Sequence, residues 1–207
     1  MGTNPYGSAP GASGSFTLSA VPRDWVWATG FGAGFSPLIP GGTATIGGGV
    51  SGSGAVLNGG FLQAPANAFA GDSAMTLSMW VNINSDRAYA RLFDFGSDTN
   101  RWIAAINSGP GSTSFLFSDG GTSEQVTFPS LSAGTWHHVA ITMDSTNAVR
   151  IYVDGSQAGS GQLTHRMSDF GASTNDWFGK SEFADPLLDG SYDTVFFLQP
   201  GAIRVRN

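Results

Sequence analysis

Residues 136–155 read WHHVAITMDSTNAVRIYVDG, and this stretch decides the fold. Val139, Ile141 and Met143 alternate with His138, Ala140 and Thr142. Further on, Val149, Ile151 and Val153 alternate with Arg150 and Tyr152. Side chains on a strand point to opposite faces with period two, so each run has one face suited to a core. Asp144-Ser145-Thr146-Asn147 separates the runs, and residues of these types bond their own backbone in turns. Asp154-Gly155 is a strong short hairpin signal. The segment is a β-meander.

The same signature recurs outward from it. Residues 75–83, MTLSMWVNI, place Met75, Leu77, Met79, Val81 and Ile83 on one face and Trp80 on the other. An aromatic on the second face implies that this face is also covered. Short strand-type runs occur at 16–21, 25–29, 61–64, 91–95, 102–107, 115–118, 125–128, 177–180 and 192–198. Asn58-Gly59 and Asp119-Gly120-Gly121 read as hairpin turns, and 159–175 reads as a loop. Evenly spaced short strands with turn signals predict an all-β, two-sheet antiparallel sandwich over residues 16–207.

Composition agrees. The 207 residues include 30 Gly, 15 Phe and 6 Trp, which suits many turns between aromatic-rich strands. Glu124 and Glu182 are the only glutamates, so helix-forming material is scarce. There is no cysteine, which excludes disulfides and thiolate metal sites. A net charge of −6 argues against nucleic acid as a partner. No run of eighteen apolar residues exists, so no membrane insertion is expected.

Residues 1–15 are rich in Gly, Ser, Pro and Ala and read as a flexible arm. Such an arm becomes ordered by lying on a partner, which raises homo-oligomer or virion assembly as an expectation; the alternative is that it folds back on its own domain. The beginning of the chain lacks the basic start and apolar stretch of a secretion signal. The expected setting is a virion or an extracellular surface.

Residues 47–52, GGGVSG, fit a G-x-G-x-x-G pattern. A dinucleotide site needs a helix to begin there, and SGAVLNGGFL follows instead, so the match reads as glycine-rich turn sequence.

Several motifs in order resemble the laminin-G-like family of concanavalin A-like jelly rolls. WHHVA at 136–140, RIYVDG at 150–155, WFGKS at 177–181 and LDGSYD at 188–193 are similar to the family's "WHHVA", "YVDG", "IGRS" and "NGxIDD" strands. MTLSMWV is similar to its "TISFWV" strand, and the likeness spans about residues 73–198. The resemblance implies a jelly roll that binds carbohydrate or protein surfaces rather than catalysing. It also implies a bound Ca²⁺, for which Asp24, Asp72, Asp189 and Asp193 would supply oxygens. Thr194 stands where the family has a second acidic residue.

Glycan hydrolysis calls for paired carboxylates, and Glu124 and Glu182 sit apart. No local Ser/His/Asp motif appears, although such triads are defined by geometry. His137 and His138 open the central strand, where capping or packing is the plainer role, and His165 is alone in a loop. Glycan binding needs exposed aromatic faces with polar neighbours. Trp102, Trp177 and Phe183 flank loops bearing Asp98, Arg101 and Asp185. The two Trp also suit core positions, which leaves Phe183 as the aromatic most suited to exposure. Two functional classes follow: a glycan- or surface-binding module, and an architectural virion component.

Overall fold

A computed structural model of the protein describes residues 25–107 and 113–198. Two antiparallel sheets stack face to face. Residues 1–24, which hold the expected arm, the 16–21 strand and Asp24, lie outside the described residues.

The strands are β1 (Trp25–Thr29), β2 (Ile39–Gly41), β3 (Thr45–Gly48), β4 (Ser53–Val56), β5 (Phe61–Gln63), β6 (Met75–Ser85), β7 (Ala90–Gly96) and β8 (Arg101–Asn107). They continue as β9 (Thr113–Asp119), β10 (Ser123–Phe128), β11 (Trp136–Met143), β12 (Ala148–Val153), β13 (Ser156–Gln162), β14 (Asn175–Phe178) and β15 (Asp189–Leu198). A four-residue helix, α1 (Met167–Phe170), interrupts the run before β14. One sheet has eight strands, ordered β13-β12-β11-β6-β15-β4-β3, with β1 on β15. The other has seven, ordered β10-β9-β8-β7-β14-β5-β2.

The opening meander lies in the eight-stranded sheet in the expected register. Val139, Ile141 and Met143 stand opposite Val153, Ile151 and Val149 on one side and Met79, Leu77 and Met75 on the other. All but Val153 are fully buried. Against them pack Phe93, Phe95, Ile103, Phe115 and Phe117 of the seven-stranded sheet. Phe95 is the hub of an aromatic cluster with Phe69, Phe93, Phe178 and Phe197. Tyr192 of β15 crosses between the layers, and its O–H donates to the Leu92 carbonyl of β7 at 2.6 Å.

The turns follow their residue chemistry. Asp154 and Gly155 both have positive φ, 51° and 81°, as a two-residue hairpin turn requires. Asp144 Oδ1 accepts the backbone N–H groups of Thr146 and Ala148, which fixes the β11–β12 turn.

Two sequence expectations are corrected, and the reading of 47–52 as turn sequence holds. Asn58-Gly59 forms its turn, with the Gly60 N–H donating to Leu57 O at 2.7 Å, but β4 and β5 belong to different sheets. The turn carries the chain between layers rather than closing a hairpin. Residues 159–162 are not loop: they belong to β13, an edge strand paired to β12 by its backbone. Its sequence, SQAGSGQ, has no apolar alternation because its pairing relies on main-chain groups. Residues 47–52 form the β3–β4 hairpin, closed by Gly49 N–H to Gly52 O at 2.9 Å, so no helix N-terminus exists there.

Candidate functional site

The outer face of the seven-stranded sheet carries a second, smaller apolar cluster. Trp102, Ala104 and Ile106 alternate outward on β8, and Leu116 of β9 packs against them. Ile103 and Ala105, between them, point into the main core. Trp102 is 7% exposed, yet it belongs to this outer cluster and not to the core.

Arg91 on β7 lies at the centre. Its partner across the sheet is Ile106, and Asp94 stands opposite Ala104. Strand residues three apart ordinarily face opposite ways. A β-bulge between Arg91 and Phe93 shifts the register and brings both charges to the outer face. Arg91 is 3% exposed and Asp94 is fully buried. The Arg91 Nε donates to Asp94 Oδ2 at 2.9 Å, Nη1 to Tyr89 O at 3.2 Å, and Nη2 lies 3.1 Å from Asp185 Oδ2. The guanidinium carbon sits 5.7 Å from the ring centroids of both Trp102 and Phe183.

The loop between β14 and β15 closes over this centre. Its base is fastened by Leu188 N–H to Gly179 O at 2.9 Å. The Glu182 N–H donates to Asp94 Oδ2 at 3.1 Å, and Ser181 Oγ donates to Asp185 Oδ2 at 2.9 Å. Phe183 then meets Trp102 edge to face at 5.8 Å. Between loop and sheet lies a cavity of about 310 Å³, lined by Tyr89, Arg91, Trp102, Ile106, Leu116, Phe183 and Asp185.

Three carboxyls titrate unusually high: Asp94 and Glu182 at the loop, and Asp176 on β14, which accepts from the Ala68 N–H and Ser173 Oγ. Burial pushes Asp94 up to about 6 despite the Arg91 charge, and pushes Asp176 to about 6 as well. Burial lifts Glu182 to about 7, and the negative charges of Asp94, Asp98 and Asp176 add in the same direction.

Of the residues expected to bind ligand, Phe183, Trp102 and Asp185 meet in this cavity. Trp177 lies on the same sheet, opposite Asp94, but its ring packs on Phe61 under the Lys180 amine, which is 3.8 Å from the centroid. Arg101 starts β8 and is exposed. The backbone N–H groups of Asn100 and Arg101 donate to Asp98, and this bonding holds its carboxyl below the usual value. Tyr89, Arg91, Asp94, Ile106, Leu116 and Glu182 were not anticipated.

The described aspartates expected for calcium do not gather. Asp72 precedes Met75 at one end of the eleven-residue β6, and Asp189 pairs with Ser85 at the other. Such a strand spans roughly 35 Å. Asp189 accepts from Asn84, Ser85 and Arg87, while Asp193 is buried and accepts the Ser51 N–H. Among the described residues no group of three or more His, Cys, Asp or Glu could hold a metal ion. Asp72, Asp189 and Asp193 therefore form no such group, and Asp24 lies outside the described residues.

Geometry does join a Ser–His–Asp chain on the other sheet. Ser132 Oγ lies 2.8 Å from His137 Nε2, and His137 Nδ1 lies 2.8 Å from Asp154 Oδ2. Asp154 Oδ1 also accepts the His138 N–H, and the Asp154 N–H donates to His138 O. The array ties the β12–β13 turn to the start of β11. His138 bonds Ser78 Oγ at 2.7 Å and packs on Trp80. His165 is buried between Asp119 and the Thr122 carbonyl, and Glu124 caps the backbone beside it.

A family model described as the concanavalin A-like lectin/glucanases superfamily matches residues 57–199, and the chain belongs to that superfamily. No curated protein sequence matches it. Among solved structures it is similar to domain 4 of AbnA, a GH43 extracellular arabinanase from Geobacillus stearothermophilus, in complex with arabinotriose. Identity is 22%, the TM-score is 0.71, and 85% of this chain and 92% of that one are covered. It is also similar to the Ruminococcus gnavus IT-sialidase CBM40 bound to α2,3 sialyllactose, at 15% identity and TM-score 0.55, covering 63% of this chain and 77% of that one. The binding domain of botulinum neurotoxin serotype C1 matches at 11% identity and TM-score 0.59, covering 82% of this chain and 44% of that one. At these identities the likeness establishes the fold.

Proposed function

We propose that this chain is a non-catalytic carbohydrate-binding module that holds a glycan on the outer face of its seven-stranded sheet. The observation that carries the reading is the cavity between Trp102, Phe183 and Arg91, where aromatic surface surrounds a few fixed polar groups. Ligand sites are built this way: apolar walls supply contact area and a few charged or hydrogen-bonding groups fix orientation. Phe183, 39% exposed, offers its ring to the apolar face of a sugar. The likeness to an arabinanase domain solved with arabinotriose and to a CBM40 solved with sialyllactose supports a glycan as ligand.

Display on a virion or another extracellular surface, and assembly through residues 1–15, belong to the same proposal. A glycan array tests the binding claim. The expected result is micromolar binding to at least one glycan, weakened at least about tenfold by Phe183→Ala. Binding unaffected by that substitution, or no binding, overturns the reading. Light scattering tests the assembly claim, which a strict monomer contradicts.

A further inference from the structure

The proposed glycan site also contains the reason for a selectivity, and the inference rests on that reading. Among the described residues Arg91 is the one cation lining the cavity, and three of its five N–H groups already face acceptors. Nε serves Asp94, Nη1 serves the Tyr89 carbonyl, and Nη2 serves Asp185. An arginine recognises a carboxylate through two parallel N–H groups of an accessible guanidinium fork. Here the fork is 3% exposed, held between two carboxylates and covered by two rings. It cannot present that pair to a sugar acid.

Apart from the Tyr89 hydroxyl, which can donate or accept, the remaining polar chemistry is acceptor chemistry. Two carboxylates against one guanidinium leave a surplus negative charge, and Glu182 lies against Asp94. Asp185 is 22% exposed in its side chain; its Oδ2 takes Arg91 and Ser181, while its Oδ1 has no partner among the described residues. An ionised carboxylate only accepts, so Oδ1 calls for a hydroxyl donor. The chain's net charge of −6 acts in the same direction at longer range. Lys180 does not reverse this balance, because its amine stands over Trp177 and Phe61, on the other side of β7 from the cavity.

We propose that the cavity selects uncharged sugars, taking a hydroxyl on Asp185 and a C–H face on Phe183, and rejects sialic and uronic acids.

The test is isothermal titration of the full chain at pH 7.5 with matched pairs: lactose against 3′-sialyllactose, and galactotriose against trigalacturonate, with arabinotriose as a further neutral ligand. The expected result is that any pair with measurable affinity favours its neutral member by about tenfold or more, since a sugar carboxylate facing fixed carboxylates is repelled. Asp185→Asn should narrow that ratio severalfold, with its fold checked by an unchanged circular dichroism spectrum. An acidic sugar binding as tightly as its neutral partner overturns the selectivity while leaving glycan binding standing. An unchanged ratio in a folded Asp185→Asn chain overturns it too. If only an array of further glycans yields binders, and those are acidic, the inference fails; if nothing binds at all, the glycan reading fails and the selectivity falls with it.

Discussion

Replacing Arg91 by Met removes a buried cation from the centre of the site and keeps the apolar stem. The structure sets the consequence. Asp94 is fully buried, loses its 2.9 Å bond from Nε, and retains the Glu182 N–H on the same oxygen and the Ser181 hydroxyl. Removing one partner of a buried ion pair leaves an uncompensated charge and costs about 3–5 kcal/mol. That cost must depend on pH. Asp94 already titrates near 6 because burial outweighs the pull of Arg91, and without Arg91 its folded pKa rises further. Below about pH 6 the carboxyl is protonated in both proteins, and the charge part of the penalty vanishes. Above it the wild type ionises first, and the penalty grows by about 1.4 kcal/mol per pH unit until the variant ionises too. Urea unfolding at pH 5 and pH 8, followed by circular dichroism, reads both values. The expected result is a penalty at pH 8 larger by about 1–3 kcal/mol, with Asp94→Asn in the Arg91→Met background recovering most of the difference. A loss below about 1 kcal/mol at pH 8, or an equal loss at both pH values, refutes the buried-pair argument.

Other substitutions probe the frame and its titration. Phe95→Ala, at the hub of the inter-sheet aromatic cluster, should lower unfolding free energy by about 3–5 kcal/mol in the same urea assay. Tyr192→Phe deletes the bond to the Leu92 carbonyl between the sheets and should cost about 1 kcal/mol, with no change in the spectrum of the folded state. Wild-type stability should pass through a maximum near about pH 4, where both sets of groups contribute. The raised carboxyls of Asp94, Asp176 and Glu182 contribute stability that is present below their unfolded values and lost as pH rises through about 6 to 7. The lowered ones, Asp144 (to about 2), Asp154 and Asp189, contribute stability that is lost as pH falls through their folded values. A thermal melt series from pH 3 to 9 that rises monotonically contradicts this assignment.

What the sequence reveals depends on which forces set each feature. The β6–β11–β12 ladder is legible because one face meets the core, so apolar residues alternate in register. β13 is not, because an edge strand of Gly, Ser and Gln is held by its backbone. The sheet change after Asn58-Gly59 is equally hidden: the turn's positive φ angles are local, while the layer each flanking strand joins is tertiary. At the site, Phe183, Trp102 and Asp185 could be picked out as aromatics and acids near loops. Apolar residues on both faces of β8 were a further available signal, since Trp102-Ile103-Ala104-Ala105-Ile106 leaves no side for water. Arg91 and Asp94 were hidden by the bulge, which overrides the two-residue period that assigns them to opposite faces. The carboxyl trio was hidden because Asp94 is far in sequence from Asp176 and Glu182, and burial and mutual charge act only once the chain folds. The calcium expectation came from resemblance alone, and β6 separates Asp72 from Asp189 by its full length.

The central claim is that a glycan seats between the β14–β15 loop and the outer face of the seven-stranded sheet. Amide chemical-shift mapping of the isotope-labelled chain, titrated with the strongest ligand from the glycan array, tests it most directly. The account predicts saturable shifts centred on Tyr89, Arg91, Trp102, Ile106, Phe183 and Asp185. Shifts centred instead on the eight-stranded sheet around Trp80 and His138, with the Phe183 loop silent, would contradict it.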